Sequence, residues 1–398
     1  MPFFAQQKQA KDTPPKMKTL YKAASLAMKN KSGQDAAKNS LLQQLPREDL
    51  KEKDKAKIYY VAALLDESNN SLQNKKAFLK KMVAADSVAL FSTILTLYQD
   101  ALLCDSIDAI PNSRGRVVLK FGNKTENLMK RYRSNLLTGG KYYLKKNDYA
   151  NAFPYLDVYL RTAKDTLDVD YNMVSYWATI CAYNLKNPLH TLKYSVHAFN
   201  YADDANKPIL QEYRVISYQM LESNQAFERE LRVGVRDYPS HDFFFVNLND
   251  LIYSQRRYDE GISLADSMLA LDSNKSIYWY GKSIMNLGKQ DFDKCIEFSD
   301  SCLSKDPNYV DAYFNKGISY CNLALIAQEN ANKDKNGAVS LEDYKKIQDF
   351  YSKAKPCMEM VRKLQPENKE RWAHALYRIY LYLNMGKEFD EIDKLLKN

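Results

Sequence analysis

Trp177, Gln211, Phe245, Trp279 and Tyr313 follow one another at intervals of 34 residues, and four of the five are aromatic. Around each, apolar residues recur at helical spacing, a short polar turn follows, and then a second amphipathic helix. A fixed period of this size predicts stacked helix pairs, because one pair alone has nothing to bury its apolar face against. The expected fold is all-α, a solenoid superhelix of antiparallel helix hairpins. Such a core grows along one axis, so a chain of 398 residues need not divide into globular domains. Twelve Gly and twelve Pro leave little room for a turn-rich β fold.

The clearest unit starts at Arg133 and is plainest from Asn135 to Leu160. It has a large apolar residue at its fourth position (Leu136), a small one at the eighth (Gly140) and an aromatic at the eleventh (Tyr143). The polar turn Lys146-Asn147-Asp148 precedes an aromatic at the seventeenth (Tyr149) and a small residue at the twentieth (Ala152). Small residues at the eighth and twentieth let the two helices approach closely. This pattern resembles the tetratricopeptide repeat over residues 133–398, with further units starting near Val174, Pro208, Asp242, Ser276 and Val310, about seven in all. Pro239 and Pro307 stand where that repeat ends its second helix. Gln211 and Phe227 make the unit at 208 divergent. Tyr313 and Trp372 are 59 residues apart, one period plus 25, which places an insertion near 325–349. A charged helix, Glu388–Lys397, is expected to cap the array.

Residues 16–132 carry divergent helical hairpins, with helical patterns at Ala36–Leu45, Lys55–Leu65, Leu72–Val83 and Ser87–Leu103. The stretch from Cys104 to Asn123 reads as a loop with a short extended segment. Residues 1–15 are polar, contain Pro14-Pro15, and read as a disordered tail. The first residues, Met1-Pro2-Phe3-Phe4-Ala5-Gln6-Gln7, look like the end of a cleaved secretory signal with Ala5 before the cut. Together with the repeats this is similar to exported envelope tetratricopeptide proteins of Gram-negative bacteria. A periplasmic or otherwise exported protein is therefore expected, with a cytoplasmic one as the alternative.

Of the net charge of +9, residues 1–60 hold +7. Interleaved acids and bases such as Arg47-Glu48-Asp49-Leu50-Lys51-Glu52 read as a solvated helix face, and no nucleic-acid signature accompanies the lysines. The most apolar stretch, Ser87–Leu103, contains Gln99 and Asp100 and reads as a packed helix, so no transmembrane segment is expected. Cys104, Cys181, Cys295, Cys302, Cys321 and Cys357 show no paired spacing and read as buried thiols.

No nucleophile elbow, phosphate loop, dinucleotide fingerprint or metalloprotease motif occurs, so neither catalysis nor a cofactor is expected. His190 and His197 are too far apart to share a metal without a third ligand. Asn332, Asp334, Asn336 and Asp343 are spaced like the ligands of a calcium loop, with Gly337 at its turn. Asn in first place, Asp instead of a bidentate Glu in last, and two nearby lysines favour an ordinary connecting loop.

The resemblance implies a protein or peptide partner held in the groove lined by each unit's first helix, at positions 2, 5, 6, 9, 12 and 13. Those positions give Lys141 and Lys145, Glu212 and Gln219, Asn247 and Tyr253, Tyr280, Phe314, Asn315, Tyr377 and Tyr380 as candidate groove residues. The Lys/Asn pairing by which chaperone-binding members hold acidic tails is missing. A non-catalytic scaffold is the expectation; the alternative is a glycan-binding envelope protein using aromatic platforms.

Overall fold

The computed structural model describes residues 14–78, 84–163, 169–331 and 339–397. Among them are 18 α-helices and no β-strand. They fall into two compact units that divide between Leu221 and Glu222.

The first unit comprises α1 (Met17–Asn30), α2 (Gln34–Leu42), α3 (Glu52–Phe78), α4 (Ala84–Asp108), α5 (Gly122–Leu144), α6 (Tyr149–Arg161), α7 (Val169–Asn184), α8 (Pro188–Ala198) and α9 (Lys207–Met220). Its helices are uneven in length. Helix α3 runs unbroken through the polar stretch Asp66–Asn70, where the sequence pattern suggests an interruption. The polar side chains are used rather than exposed: Asp66 receives the Lys38 ammonium at 2.6 Å, and the Asn70 amide donates to the Leu90 carbonyl at 3.0 Å. Helix α5 begins well ahead of Arg133, because Thr125 and Leu128 extend the buried stripe that Leu136 and Tyr143 continue. The segment Ser87–Asp108 of α4 is long and apolar enough to cross a membrane, with mean hydropathy 1.4. Its Ile94, Leu97, Tyr98 and Ala101 lie in the core with Leu136 and Tyr155.

The second unit comprises α10 (Asn224–Asp237), α11 (Asp242–Ser254), α12 (Tyr258–Leu271), α13 (Ser276–Gly288), α14 (Phe292–Lys305), α15 (Val310–Glu329), α16 (Leu341–Leu364), α17 (Lys369–Tyr382) and α18 (Gly386–Lys397). From α11 to α14 the helices are 13 or 14 residues long. The insertion lengthens both helices of the next hairpin at its turn end, giving 20 residues in α15 and 24 in α16.

Three devices repeat, and each explains a residue preference. The aromatic at the fourth position carries a polar tip that caps the preceding turn. Trp279 Nε1 donates to the Ser273 carbonyl at 2.9 Å, and the Tyr313 hydroxyl donates to that of Pro307 at 3.1 Å. Trp372 Nε1 does the same to Gln365 at 3.1 Å. The turn inside each hairpin places one residue in the left-handed region: Asn147, Lys186, Glu222, Arg256, Gln290 and Asn384, with φ between 53° and 63°. Ala324, one period after Gln290, is instead buried inside α15, which is how the helix runs on into the insertion. Finally, the Lys282 ammonium lies 2.6 Å from Asp266, and Lys316 pairs with Asp300 one period later.

The left-handed turn also gives the true register. In the units of Asn147, Glu222, Arg256 and Gln290 it lies eleven residues after the fourth position, but Lys186 lies only nine after Trp177. Trp177 is thus two residues out of step, and its even spacing from Gln211 is a coincidence, because two extra residues lie between the turn at Lys186 and Gln211. The two helices approach closely at the eighth position: an added Cβ would sit 2.8 Å from Leu156 Cδ2 at Gly140 and 2.5 Å from Met358 Sδ at Gly317. All six cysteines are free and buried. Burial pushes the Cys104, Cys181, Cys302 and Cys321 thiols up to about 12.

Candidate partner-binding face

In the second unit α11 touches α13, α13 touches α15, and α15 touches α17, so the first helices of successive hairpins form one wall. The side chains they present differ by position. Sixth-position residues are covered by the preceding first helix: Gly281 faces Phe245 and Asn249, and Asn315 donates to Ser283 Oγ at 3.3 Å. Second-, fifth- and ninth-position residues stay on the open side. There the wall gathers Asp250 from α11, Tyr280 from α13, Asp311 and Phe314 from α15, and Arg371 from α17.

These groups sense one another. The Arg371 guanidinium lies 2.6 Å from Asp311 Oδ1 and 4.6 Å above the Phe314 ring. Tyr280 packs at 5.2 Å on Tyr309, the residue that opens α15. Desolvation by the surrounding helices, then the Asp311 and Asp250 carboxylates, push the Tyr280 phenol well above its ordinary range. The Asp250 carboxyl reaches water at the surface, yet the enclosing wall and then Asp311 hold it above the usual carboxylate range. The face therefore combines flat rings, two carboxylates and one guanidinium, one carboxylate already neutralised by that guanidinium. Such rings can stack, and the charged groups can pair with opposite charge.

Among the candidates taken from the sequence, Tyr280 and Phe314 lie on this face. Tyr253, half-buried, packs its ring 5.6 Å from Tyr258 and interacts with Tyr280. Asn247 returns its amide to the Phe243 carbonyl at 2.8 Å within its own helix. Three candidates are placed elsewhere. Asn315 is 2% exposed and serves the helix contact just described. Tyr380 is also 2% exposed, its hydroxyl donating to Glu359 at 3.1 Å, and Tyr377 packs on Phe389 of α18 at 4.7 Å. The reason is register. Counted back from the turn at Asn384, Tyr377 and Tyr380 fall on the eighth and eleventh positions, which face the neighbouring helix. In the first unit, Lys141 holds its ammonium 5.1 Å from the Trp177 ring, Lys145 and Gln219 are exposed, and Glu212 is half-buried.

Asp250, Asp311 and Arg371 were not among the sequence candidates. The first two occupy lining positions that the repeat register identifies. Arg371 meets Asp311 across 60 residues and an insertion, which no local pattern reveals. Of the calcium-loop candidates, Asn332, Asp334 and Asn336 lie outside the described residues. Asp343 belongs to the start of α16, its amide donating to the capping Ser340 Oγ at 3.1 Å. Among the described residues no three His, Cys, Asp or Glu side chains group as metal ligands.

No protein-family model and no curated protein matches the chain. Solved structures do. The C-terminal part of a tetratricopeptide repeat-containing protein from Cytophaga hutchinsonii is 12% identical, with TM-score 0.44, over 64% of this chain and 92% of that one. A tetratricopeptide repeat protein from Parabacteroides merdae is 14% identical, with TM-score 0.37, over 67% and 100%. One from Bacteroides fragilis is 16% identical, with TM-score 0.30, over 66% and 98%. The repeating hairpins, turns and capping aromatics make this chain an all-α, tetratricopeptide-like solenoid.

Proposed function

We propose that this protein is a non-catalytic scaffold that holds an extended segment of a partner protein against the first-helix wall of its second unit. The observation that supports this reading most is the convergence of Asp250, Tyr280, Asp311, Phe314 and Arg371 from four separate helices onto one open face. Rings offer apolar contact area at low entropic cost, and the charged groups set direction and register. The glycan reading gains no support from the tryptophans: Lys141 covers Trp177, Trp279 stacks on Phe298, and Trp372 is buried. An exported site of action is part of the proposal and rests on the residues around Ala5.

A displayed library of random peptides selected on the full chain tests it. Selected peptides are expected to bind about tenfold more weakly to Phe314→Ala and to Tyr280→Ala, while Tyr344→Ala on α16 leaves binding unchanged. Fluorescence anisotropy reads the difference. A library that yields no binder, or binders indifferent to both substitutions, would remove this face from consideration.

A further inference from the structure

The connection between α4 and α5 is an exposed apolar segment held in a fixed shape. Residues 113–120 are all exposed, and Val117, Val118 and Leu119 stand 52%, 47% and 61% open to water, with Ile110 at 47%. Three consecutive aliphatic side chains left in water are costly, and a contiguous apolar surface on a soluble unit marks a contact site.

The segment is braced on both sides. Asn112 organises a turn: its carbonyl accepts from the Gly115 amide at 2.8 Å, and its amide donates to the Arg116 carbonyl at 3.0 Å. Its side-chain oxygen accepts from the Arg114 and Arg116 amides at 2.9 and 3.2 Å. Gly115 supplies the left-handed φ of 70° that the turn requires. On the far side, the Asp108 carboxylate accepts from the Lys120 and Phe121 amides at 2.5 and 2.7 Å. Phe121 then anchors the chain in a small core with Ala56 and Cys104. Between these two clamps the aliphatic side chains have no route inward.

We propose that this loop is a membrane-contact element that seats its aliphatic residues at an anionic lipid surface. Arg114, Arg116 and Lys120 flank the apolar run and form no ion pair among the described residues; Lys124 follows one turn into α5. Cations around a projecting apolar tip complement lipid phosphates around an acyl interior. An added peptide strand fits less well. A strand offers its neighbour's side chains alternately to two faces, whereas here three successive residues are apolar on every side. Val117 and Val118 would lie at the boundary of headgroup and acyl chain, with Arg114 and Arg116 among the phosphates.

Vesicle co-sedimentation with the full chain decides it, using phosphatidylcholine alone and phosphatidylcholine with about a third phosphatidylglycerol. The chain is expected to pellet with the anionic vesicles and to be released by high salt. Val118→Asp, and separately Val117→Ser, should weaken that binding about tenfold and fivefold respectively. Arg114→Gln/Arg116→Gln should weaken it about tenfold on anionic vesicles while leaving the weak binding to neutral ones unchanged. These side chains are in water, so the melting temperature should not move, which separates lost contact from lost fold. A wild-type chain that stays in the supernatant with anionic vesicles overturns the proposal. So does binding that survives all three variants, or a loop variant that loses a protein partner but keeps its vesicles.

Discussion

The two units solve the same packing problem with opposite uses of polar groups. In the second, the ion pairs between helices stay near the surface: Lys282–Asp266, Lys316–Asp300 and Arg371–Asp311 stitch neighbouring helices where water still reaches them. In the first, charge goes inside. The Lys38 ammonium bridges Asp66 at 2.6 Å and Asp100 at 2.7 Å, linking α2, α3 and α4 at the base of a polar cleft of about 440 Å³. The side chains of the three residues are 13%, 5% and 10% exposed. Regular hairpins hold their spacing by repetition, so their ion pairs are accessories. Long divergent helices have no such template, and a buried charged triad fixes one alignment among several that apolar packing alone would accept.

The difference can be broken most forcefully at Lys38. Lys38→Met leaves two largely buried carboxylates facing each other without their cation, and about 3–5 kcal/mol of stability should be lost from the first unit. Hydrogen exchange resolved by peptide should show the loss in α2, α3 and α4 and none in α11 to α14. Restoring stability with the combined Lys38→Met/Asp66→Leu/Asp100→Leu change would show that alignment, not charge, is what the triad supplies. A uniform loss over both units would erase the contrast.

A smaller effect comes from pH. Burial outweighs the Lys38 attraction and raises the Asp66 carboxyl to about 6, and Asp100 is raised for the same reason. A carboxyl whose folded pKa exceeds its unfolded value favours folding in its protonated form. That contribution is full below about 4 and disappears as pH rises through about 6. Lowering the pH from 7.5 to 5 should therefore stabilise the first unit by about 1 kcal/mol through Asp66, a gain that Asp66→Asn should lack. Urea titrations at the two pH values check the sign; equal gains in both proteins would assign the effect elsewhere.

The smallest effect lies in the second unit. Tyr313→Phe removes only the hydroxyl that caps the turn at Pro307, and should cost about 0.5–1 kcal/mol without altering the shape of the unfolding curve. A cost of several kcal/mol would mean that the regular hairpins depend on polar contacts as heavily as the triad does.

Much of this was legible beforehand, and the exceptions have identifiable causes. Gly140, the aromatic fourth positions and the terminal helix α18 follow from the period because each answers a local packing need. Trp177 misled because two extra residues after the turn at Lys186 offset its own two-residue displacement and left the count to Gln211 intact. Tyr377 and Tyr380 misled for the complementary reason: the last hairpin's turn lies one residue later relative to Trp372, which moves both rings from the open side to the packed one. The run through Asp66 and Asn70 resembled an interruption because a sequence does not display which polar residues will find buried partners. The face around Tyr280 was half visible, its rings by position and its charges only once distant helices were in place.

The recurring left-handed residue at Glu222, Arg256 and Gln290 gives the second unit interchangeable joints. The segment between Arg256 and Gln290 carries the second helix of one hairpin and the first of the next, with the Trp279 cap and the Lys282–Asp266 pair, so excising it lets its neighbours close over the gap in the same geometry. Shortening the molecule this way would shorten its wall by one step at a time. The chain can thus serve as a ruler whose gradation is set by the joint rather than by the side chains that do the holding.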